Sequence, residues 1–189
     1  MTKSERMPLP LSRSDSNRIA PRWVWILLIG VACGMGAFKF HLMSKRFDAD
    51  RFTKEATAKA IKVLDQLPAG FSATDLVSAL NIGVVNFSTN SSDLPADSFP
   101  FLDSSATAIK KAPGGVILEI EGHADSTGEE SHNQDLSINR ARSVAFYLVK
   151  KGVNPRMVVA KGFGSSRPVA SNDTEEGRFN NRRIEYRIR

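Results

Sequence analysis

Cysteine is almost absent from this chain of 189 residues. The single cysteine, Cys33, lies inside an apolar segment, so the chain can form neither an intramolecular disulfide nor a zinc site built from cysteines. The sequence also contains no internal repeat and no low-complexity tract. We expect one globular domain with extensions, because a domain usually takes roughly 100–200 residues.

A basic excess is missing from the C-terminal part of the chain. The formal net charge is +6, but residues 1–81 hold twelve Lys/Arg and seven Asp/Glu, whereas residues 82–189 hold fourteen and thirteen. The excess positive charge therefore belongs to the N-terminal portion. Because nucleic-acid-binding domains normally carry a basic patch on the folded surface, nucleic acid is not an expected partner.

Charged residues of either sign are absent from Trp23 to Phe38, a run of sixteen residues with the sequence WVWILLIGVACGMGAF. If Lys39 extends its ammonium group to the membrane surface, the helix can continue to Met43 and reach about twenty-one residues, enough to span a bilayer. We therefore predict a transmembrane helix over residues 23–43, which makes the membrane an expected partner. Residues 1–22 form the tail that precedes it.

Two properties of this apolar segment stay open. Residues 30–33, Gly-Val-Ala-Cys, look like a lipoprotein cleavage site in which glycine replaces the usual leucine, so a lipoprotein anchored at Cys33 is the alternative to an uncleaved helix. Gly30 and Gly34 form a face of small residues that could pair two helices into a homodimer. Basic residues flank both sides of the segment, so they do not determine its orientation.

Residues 44–81 are predicted to form a helical linker. A first helix should end at Pro68-Ala69-Gly70, and a second, capped by Ser72 or Thr74, should run to Leu80. As a plain spacer, a first helix of about eighteen residues would reach ~27 Å from the membrane. Apolar residues of the first helix recur at three- and four-residue steps, which is helical periodicity: Phe52, Ala56, Ala60, Val63 and Leu67.

Residues 82–189 alternate between the patterns of strands and helices. This β-α-β-α-β-β order predicts an α/β fold, a two-layer sandwich of a mixed β-sheet with helices on one face. Pro113-Gly114-Gly115 and Gly152 mark the ends of the two helices. The expected strands are 82–87, 116–122, 157–160 and 183–188, and the expected helices are 99–111 and 133–151.

The most informative polar motif is Gly122-His123-Ala124-Asp125, which follows the second predicted strand. Gly128 lets the next loop turn back towards the helix that carries Arg140. A carboxylate from Asp125 and a guanidinium from Arg140 that meet over one cavity can hold the ammonium and the carboxylate of an amino-acid centre. On spacing alone, a structural salt bridge between the two side chains is the simpler explanation.

With this motif, Asn133 and the sequence Asn181-Arg182-Arg183, residues 82–189 resemble the OmpA-like family of C-terminal domains, which includes the peptidoglycan-associated lipoprotein and the flagellar stator protein MotB. The resemblance implies a non-catalytic module that binds peptidoglycan through the diaminopimelate of its peptide stems. Asp125 would then receive the ligand's ammonium group, and Arg140 would bind its carboxylate as a bidentate pair.

The resemblance also implies that Asn133 helps to line the pocket and that Arg182 braces the acidic loop. From the residues alone, Asn133 could equally be a helix N-cap, and Arg182 a cross-strand partner for an acidic residue. Ala124 departs from the family pattern, which usually has threonine at this position. If that hydroxyl contact is needed, its loss weakens binding by about 0.5–1.5 kcal/mol.

Two other chemistries are less well supported by the sequence. His123, Asp125 and Ser126 lie too close together in the chain to form a nucleophile–base–orienter relay, so we expect no catalytic residue and interpret His123 as structural. A metal site from His123, Asp125 and His132 is geometrically conceivable. We nevertheless expect no metal and no cofactor.

A wall-binding module implies an inner-membrane protein with its C-terminal domain in the periplasm and its N-terminus in the cytoplasm. The predicted transmembrane helix contains no Asp or Glu, which argues against an ion-conducting stator of the MotB type, because that mechanism needs an intramembrane carboxylate. The alternative is a stator-like or secretion-system subunit of an envelope complex, in which wall binding is only the anchor.

Overall fold

Two helices open the part of the chain that the computed structural model describes, residues 47–189. Helix α1 spans Ala49–Asp65, and helix α2 spans Ala73–Leu80. Ser72 caps α2 by accepting a hydrogen bond from the backbone N–H of Asp75, whose carboxylate accepts one from the backbone N–H of Ser72 in return. This capping box confirms the predicted second helix and selects Ser72 over Thr74 as its cap.

Both helices bury their apolar faces in the core. Leu64 on α1 and Leu76 and Leu80 on α2 are buried, and the two helices pack against later elements of the chain. Residues 47–189 consequently form one compact unit. The boundary predicted between residues 81 and 82 does not separate two units, and the interpretation of this segment as a plain spacer is wrong, because its helical apolar stripe is a packing surface.

The N-terminal predictions fall outside the described residues. They are the tail of residues 1–22, the transmembrane helix of residues 23–43, the cleavage site at Cys33 and the small-residue face of Gly30 and Gly34. Within residues 47–189, no helix combines the length and the apolar character needed to cross a bilayer.

A mixed three-stranded sheet lies at the centre of the described chain. Strand β1 (Leu118–Gly122) pairs in parallel with β2 (Val158–Gly162) and antiparallel with β3 (Ile184–Ile188). Leu118 and Ile120 on β1 belong to the hydrophobic core, whereas Glu119 and Glu121 alternate with them and form ion pairs with Lys161 and Arg187. The predicted α/β fold with a mixed sheet is confirmed.

Three helices follow the first two. Helix α3 spans Phe99–Lys110, α4 spans Glu130–Lys150, and α5 spans Glu175–Asn181. Helix α4 begins three residues before the predicted start at Asn133 and packs on β1 and β2. Helix α5 has no counterpart in the predicted order, because its seven residues offer too little apolar periodicity to be recognised.

The predicted first strand, residues 82–87, is not a strand in the described structure. Val85 and Phe87 are buried, as the apolar alternation requires, but the segment forms no ladder with the sheet. The edge of β3 is instead bonded by the Asn81 side chain, which accepts a hydrogen bond from the backbone N–H of Tyr186 at 2.8 Å and donates one to its carbonyl at 2.9 Å. A side-chain amide thus replaces the strand at this edge.

Two glycines allow α4 to cross the sheet at very close range. A Cβ atom on Gly122 would lie 2.0 Å from the carbonyl oxygen of Ser137, and one on Gly162 would lie 2.5 Å from the backbone nitrogen of Ile138. Both glycines stand at the C-terminal ends of parallel strands. Their missing side chains therefore let the first half of α4 lie directly beside the loop that leaves β1.

Candidate ligand-binding site

A cavity of about 210 Å³ lies where the loop after β1 meets the first half of α4. Its walls include all four residues predicted to bind a ligand: Asp125, Asn133, Arg140 and Arg182. These residues are spread over 58 positions of the chain, counted inclusively from 125 to 182. The fold therefore brings together every member of the predicted set.

Asp125 is held in place from two sides. Its side chain is mostly buried, and it accepts hydrogen bonds from the backbone N–H of Thr127 at 2.8 Å and from Nη1 of Arg182 at 2.6 Å. Burial alone raises the pKa of Asp125, but the bonds from Arg182 and Thr127 outweigh it and leave the pKa below its ordinary value. The carboxylate is therefore ionised at neutral pH.

The loop that carries Asp125 is shaped by Gly128 and Asn133. Gly128 has a φ of +86°, a conformation that glycine adopts without strain. Nδ2 of Asn133 donates to the carbonyl oxygens of Asp125 at 3.2 Å and Thr127 at 3.0 Å. The N-cap of α4 is Glu129, so the interpretation of Asn133 as an N-cap is wrong. It fastens the loop to the helix and lines the cavity.

Arg140 is the most deeply buried cation of the site, with only 2% of its surface exposed. Its Nε donates to the carbonyl oxygen of Ser91 at 2.9 Å, and its Nη2 donates to that of Ser88 at 3.0 Å. The guanidinium carbon lies 5.2 Å from the ring centre of Phe87. All of these partners are neutral.

No carboxylate within residues 47–189 lies within 4.0 Å of the Arg140 guanidinium nitrogens. The direct Asp125–Arg140 salt bridge is therefore not formed, because Asp125 is paired with Arg182 instead. Burial lowers the pKa of Arg140 to about 10, with a further lowering by Arg182 and an opposing effect of Asp125. The group still carries its charge at neutral pH.

Three contributors to the cavity were not assigned a binding role from the sequence. The loop of Thr89 and Asn90 forms one wall, and His132, whose Nε2 contacts Oδ1 of Asn90, forms another. Arg178 also lines the cavity, with its Nη1 donating to the carbonyl oxygen of Asn172 at 2.8 Å. The 88–91 loop acts largely through backbone carbonyls, for which the sequence carries no signal.

His123 does not belong to this cavity. Its ring is only 1% exposed and stacks on Phe163 at a centroid distance of 5.5 Å. Burial, followed by the charge of Arg183, lowers the pKa of His123 to about 4, so the imidazole is neutral at pH 7. The predicted structural role of His123 agrees with this packing.

The metal site considered from the sequence is not assembled. Among residues 47–189, the group whose ligand atoms lie within 4.8 Å of one another is Glu121, His123 and Glu185, without Asp125 or His132. The two glutamates already contact guanidinium groups: Arg187 approaches both, and Arg183 approaches Glu185. A cation would have to compete with these arginines for the same carboxylates.

A protein-family comparison matches residues 86–182 to a model described as the OmpA family. The peptidoglycan-binding protein ArfA of Mycobacterium tuberculosis is 41% identical over 133 residues, which cover 66% of this chain and 40% of that protein. The peptidoglycan-associated lipoprotein of Pseudomonas aeruginosa is 34% identical over 116 residues, which cover 61% of this chain and 68% of the relative. The chain thus spans less than half the length of ArfA.

The same architecture occurs in a solved structure. The crystal structure of the C-terminal domain of Helicobacter pylori MotB has a TM-score of 0.53 and 30% sequence identity, and the match covers 56% of this chain and 83% of that one. The residues matched by the family model include all four predicted ligand-binding residues and the carbonyl oxygens that hold Arg140.

Proposed function

The chain belongs to the OmpA family, and on that premise we propose that it binds bacterial peptidoglycan non-covalently through the diaminopimelate of the peptide stems. The observation that carries the proposal is Arg140, a buried guanidinium at the wall of a cavity, with no carboxylate of residues 47–189 within 4.0 Å of its nitrogens. Two relatives named for peptidoglycan, ArfA and the peptidoglycan-associated lipoprotein, support the choice of ligand.

A buried charge without a counterion is costly, and proteins normally pair it or bind an ion to it. The two carbonyl dipoles at Arg140 offset part of this cost, but they bring no opposite charge. A ligand carboxylate supplies that charge. Arg140 therefore favours an anionic group in the cavity.

The side chain of diaminopimelate ends in an amino-acid centre, which carries an ammonium and a carboxylate on one carbon. In the proposed complex, the carboxylate lies against Arg140 and the ammonium against Asp125. The carbonyls of Ser88 and Ser91 already use Nη2 and Nε of Arg140, so Nη1 is the main donor left for the ligand. Nη2 keeps a second N–H group, so the bidentate pair expected from the sequence can form end-on through Nη1 and Nη2.

We extend the proposal to the role of the whole chain. In this proposal the protein is a tether and has no catalytic role, which is consistent with the structural role of His123, whose ring stacks on Phe163 and does not line the cavity. Residues 23–43 anchor it in the inner membrane as a single-pass helix, and residues 47–189 lie in the periplasm. The alternatives from the sequence are a lipoprotein anchored at Cys33 and an envelope-complex subunit for which wall binding is only the anchor.

The test is binding of residues 47–189 to purified sacculi that contain diaminopimelate. We expect Asp125→Ala and Arg140→Ala each to lose about 2–5 kcal/mol of binding free energy, because each leaves an opposite charge of the complex unpaired. Arg156→Ala is the matched control, since Arg156 is exposed and stands just before β2, at the other end of that strand. Equal retention of the wild type and both site variants by sacculi would rule out the assigned site.

A further inference from the structure

Three guanidinium groups and only one carboxylate line the cavity. Arg140, Arg178 and Arg182 contribute the cations, and Asp125 contributes the anion. Arg182 is paired with Asp125 at 2.6 Å. Within residues 47–189, neither Arg140 nor Arg178 has a carboxylate within 4.0 Å, so two of the three cations have no acidic partner.

The position of Arg178 is set by α5. It stands four residues before Arg182, one helical turn away, so both side chains can reach the cavity from the same side. The backbone N–H of Arg182 donates to the carbonyl oxygen of Arg178 at 3.0 Å, which continues the helical turn through both residues. One guanidinium nitrogen of Arg178 is held by the carbonyl oxygen of Asn172, and this contact orients the group without neutralising it.

A single amino-acid centre cannot satisfy this arrangement. Its carboxylate pairs with Arg140 and its ammonium group pairs with Asp125, but its net charge is zero. Arg178 is then left beside the ligand without an anion. Opposite charges attract more strongly at a partly buried protein surface than in bulk water, so a second negative group at this wall is favoured.

We propose that Arg178 makes the site selective for peptidoglycan stems that present a second free carboxylate beside the bound amino-acid centre. This inference rests on the proposed function and names the form of stem that the site prefers. Two parts of a stem can supply the group. One is the main-chain carboxylate of a stem that ends at diaminopimelate, and the other is the α-carboxylate of the γ-linked glutamate that precedes it.

The experiment measures the affinity of the full-length chain, in detergent, for synthetic stem peptides that end at diaminopimelate. Isothermal titration compares the unmodified peptide with three singly amidated forms, at the main-chain carboxylate, at the glutamate α-carboxylate and at the side-chain carboxylate. We expect one of the first two amidations to weaken binding by roughly tenfold, the lower end for a hydrogen bond to a charged group. The amidation that weakens binding identifies the source of the second carboxylate.

Arg178→Gln provides the decisive comparison. The variant should bind the unmodified peptide about tenfold more weakly than the wild type does. It should also bind the unmodified and the amidated peptide with equal affinity, because Arg178 and the second carboxylate contribute to binding only through their contact with each other. A role of Arg178 only in supporting the loop would lower both affinities by the same factor. Arg178→Lys should restore part of the discrimination, and the control Arg156→Gln should keep all of it.

The outcomes separate this inference from the proposed function. Amidation of the side-chain carboxylate should weaken binding in the wild type and in Arg178→Gln alike, because that group contacts Arg140. If the wild type binds none of the peptides, the proposed function fails. If it binds the unmodified peptide but neither of the first two amidations matters, or if the amidation penalty persists in Arg178→Gln, the selectivity by Arg178 is overturned while the binding site stands.

Discussion

At the residue scale, the charged side chains of the site are held in position by the protein itself. Arg140 is held by the carbonyl oxygens of Ser88 and Ser91, and Asp125 is held by Arg182 and Thr127. Side chains fixed in this way lose little conformational entropy when a ligand binds. The pair is thus a rigid receptor whose two charges stay apart, because each is bonded to a different part of the protein.

The pairing of Asp125 with Arg182 should make the stability of the domain depend on pH. The folded-state pKa of Asp125 is depressed, so its contribution is fully present above the unfolded pKa of about 3.9 and is lost as the pH falls through the folded value. At pH 7 we expect Asp125→Asn to lower the free energy of unfolding by about 1.5–3 kcal/mol. Thermal unfolding of residues 47–189 between pH 2 and 7 measures the difference.

The difference in the free energy of unfolding between the wild type and Asp125→Asn should shrink steadily below about pH 4, where the wild-type carboxyl group also becomes neutral. Asp135→Asn serves as the control, since Asp135 is exposed on α4 and has no ion pair within residues 47–189. If this difference in the free energy of unfolding stays constant down to pH 2, the charge of the Asp125 carboxylate contributes nothing to the stability of the domain.

At the element scale, α4 is what brings the site together. The absence of side chains at Gly122 and Gly162 lets the helix cross the ends of β1 and β2 in direct contact. Arg140 on α4 can therefore reach the 88–91 loop, and Asn133 can fasten the loop that follows β1. Glycines at strand ends, rather than any charged residue, place the two halves of the site within one cavity.

Helices α1 and α2 belong to the folded domain, and this leads to a prediction about truncation. Leu64, Leu76 and Leu80 are buried against later elements, so removing residues 47–81 exposes the core that they cover. A single buried Leu→Ala substitution already costs about 2–5 kcal/mol, against about 5–15 kcal/mol for the stability of a whole domain. We expect residues 82–189 alone to lack cooperative thermal unfolding.

The comparison needs a fragment of residues 47–189 and a graded variant. Leu76→Ala in that fragment should unfold cooperatively but at a lower temperature, which shows that α2 contributes through packing and not through chain length. Differential scanning calorimetry on the three proteins measures the effect. If residues 82–189 unfold at the same midpoint as residues 47–189, the two helices are dispensable and the linker interpretation returns.

At the scale of the whole molecule, the charge of the chain is unevenly distributed along the sequence. The basic excess lies in residues 1–81, and the charge of residues 82–189 is almost balanced. A domain without a large surface field suits binding through one local cavity rather than through general electrostatic attraction. The proposed attachment to the membrane would then depend on residues 23–43.

Fractionation of cells tests that attachment. We expect the full-length chain to stay in the membrane fraction after alkaline carbonate extraction, and we expect Cys33→Ser to stay there too, because a spanning helix needs no lipid on the cysteine. Residues 47–189 expressed in the same compartment should be released. Release of Cys33→Ser would establish the lipoprotein alternative in place of the helix.

The sequence by itself determined four of the five α-helices described, α1 to α4, and the chemical character of the site. The capping box at Ser72, the apolar stripe of α4 and the positive-φ glycine at position 128 act within a few residues, so their effects are local and readable. The loss of the first predicted strand shows where this local information ends. Residues 82–87 carry the right alternation, but Asn81 already bonds the edge of β3, 105 residues away.

Only the tertiary structure decided how the charges of the site are paired. Asp125 meets Arg182 across 57 residues, and Arg140 meets the carbonyl oxygens of Ser91 and Ser88 across 49 and 52. Backbone carbonyls are present at every position, so no sequence pattern marks the ones that will hold a guanidinium. The packing of α4 and α5 against distant loops determines which guanidinium groups are bonded only to neutral carbonyl oxygens. Those groups are the ones that can still pair with an anionic ligand.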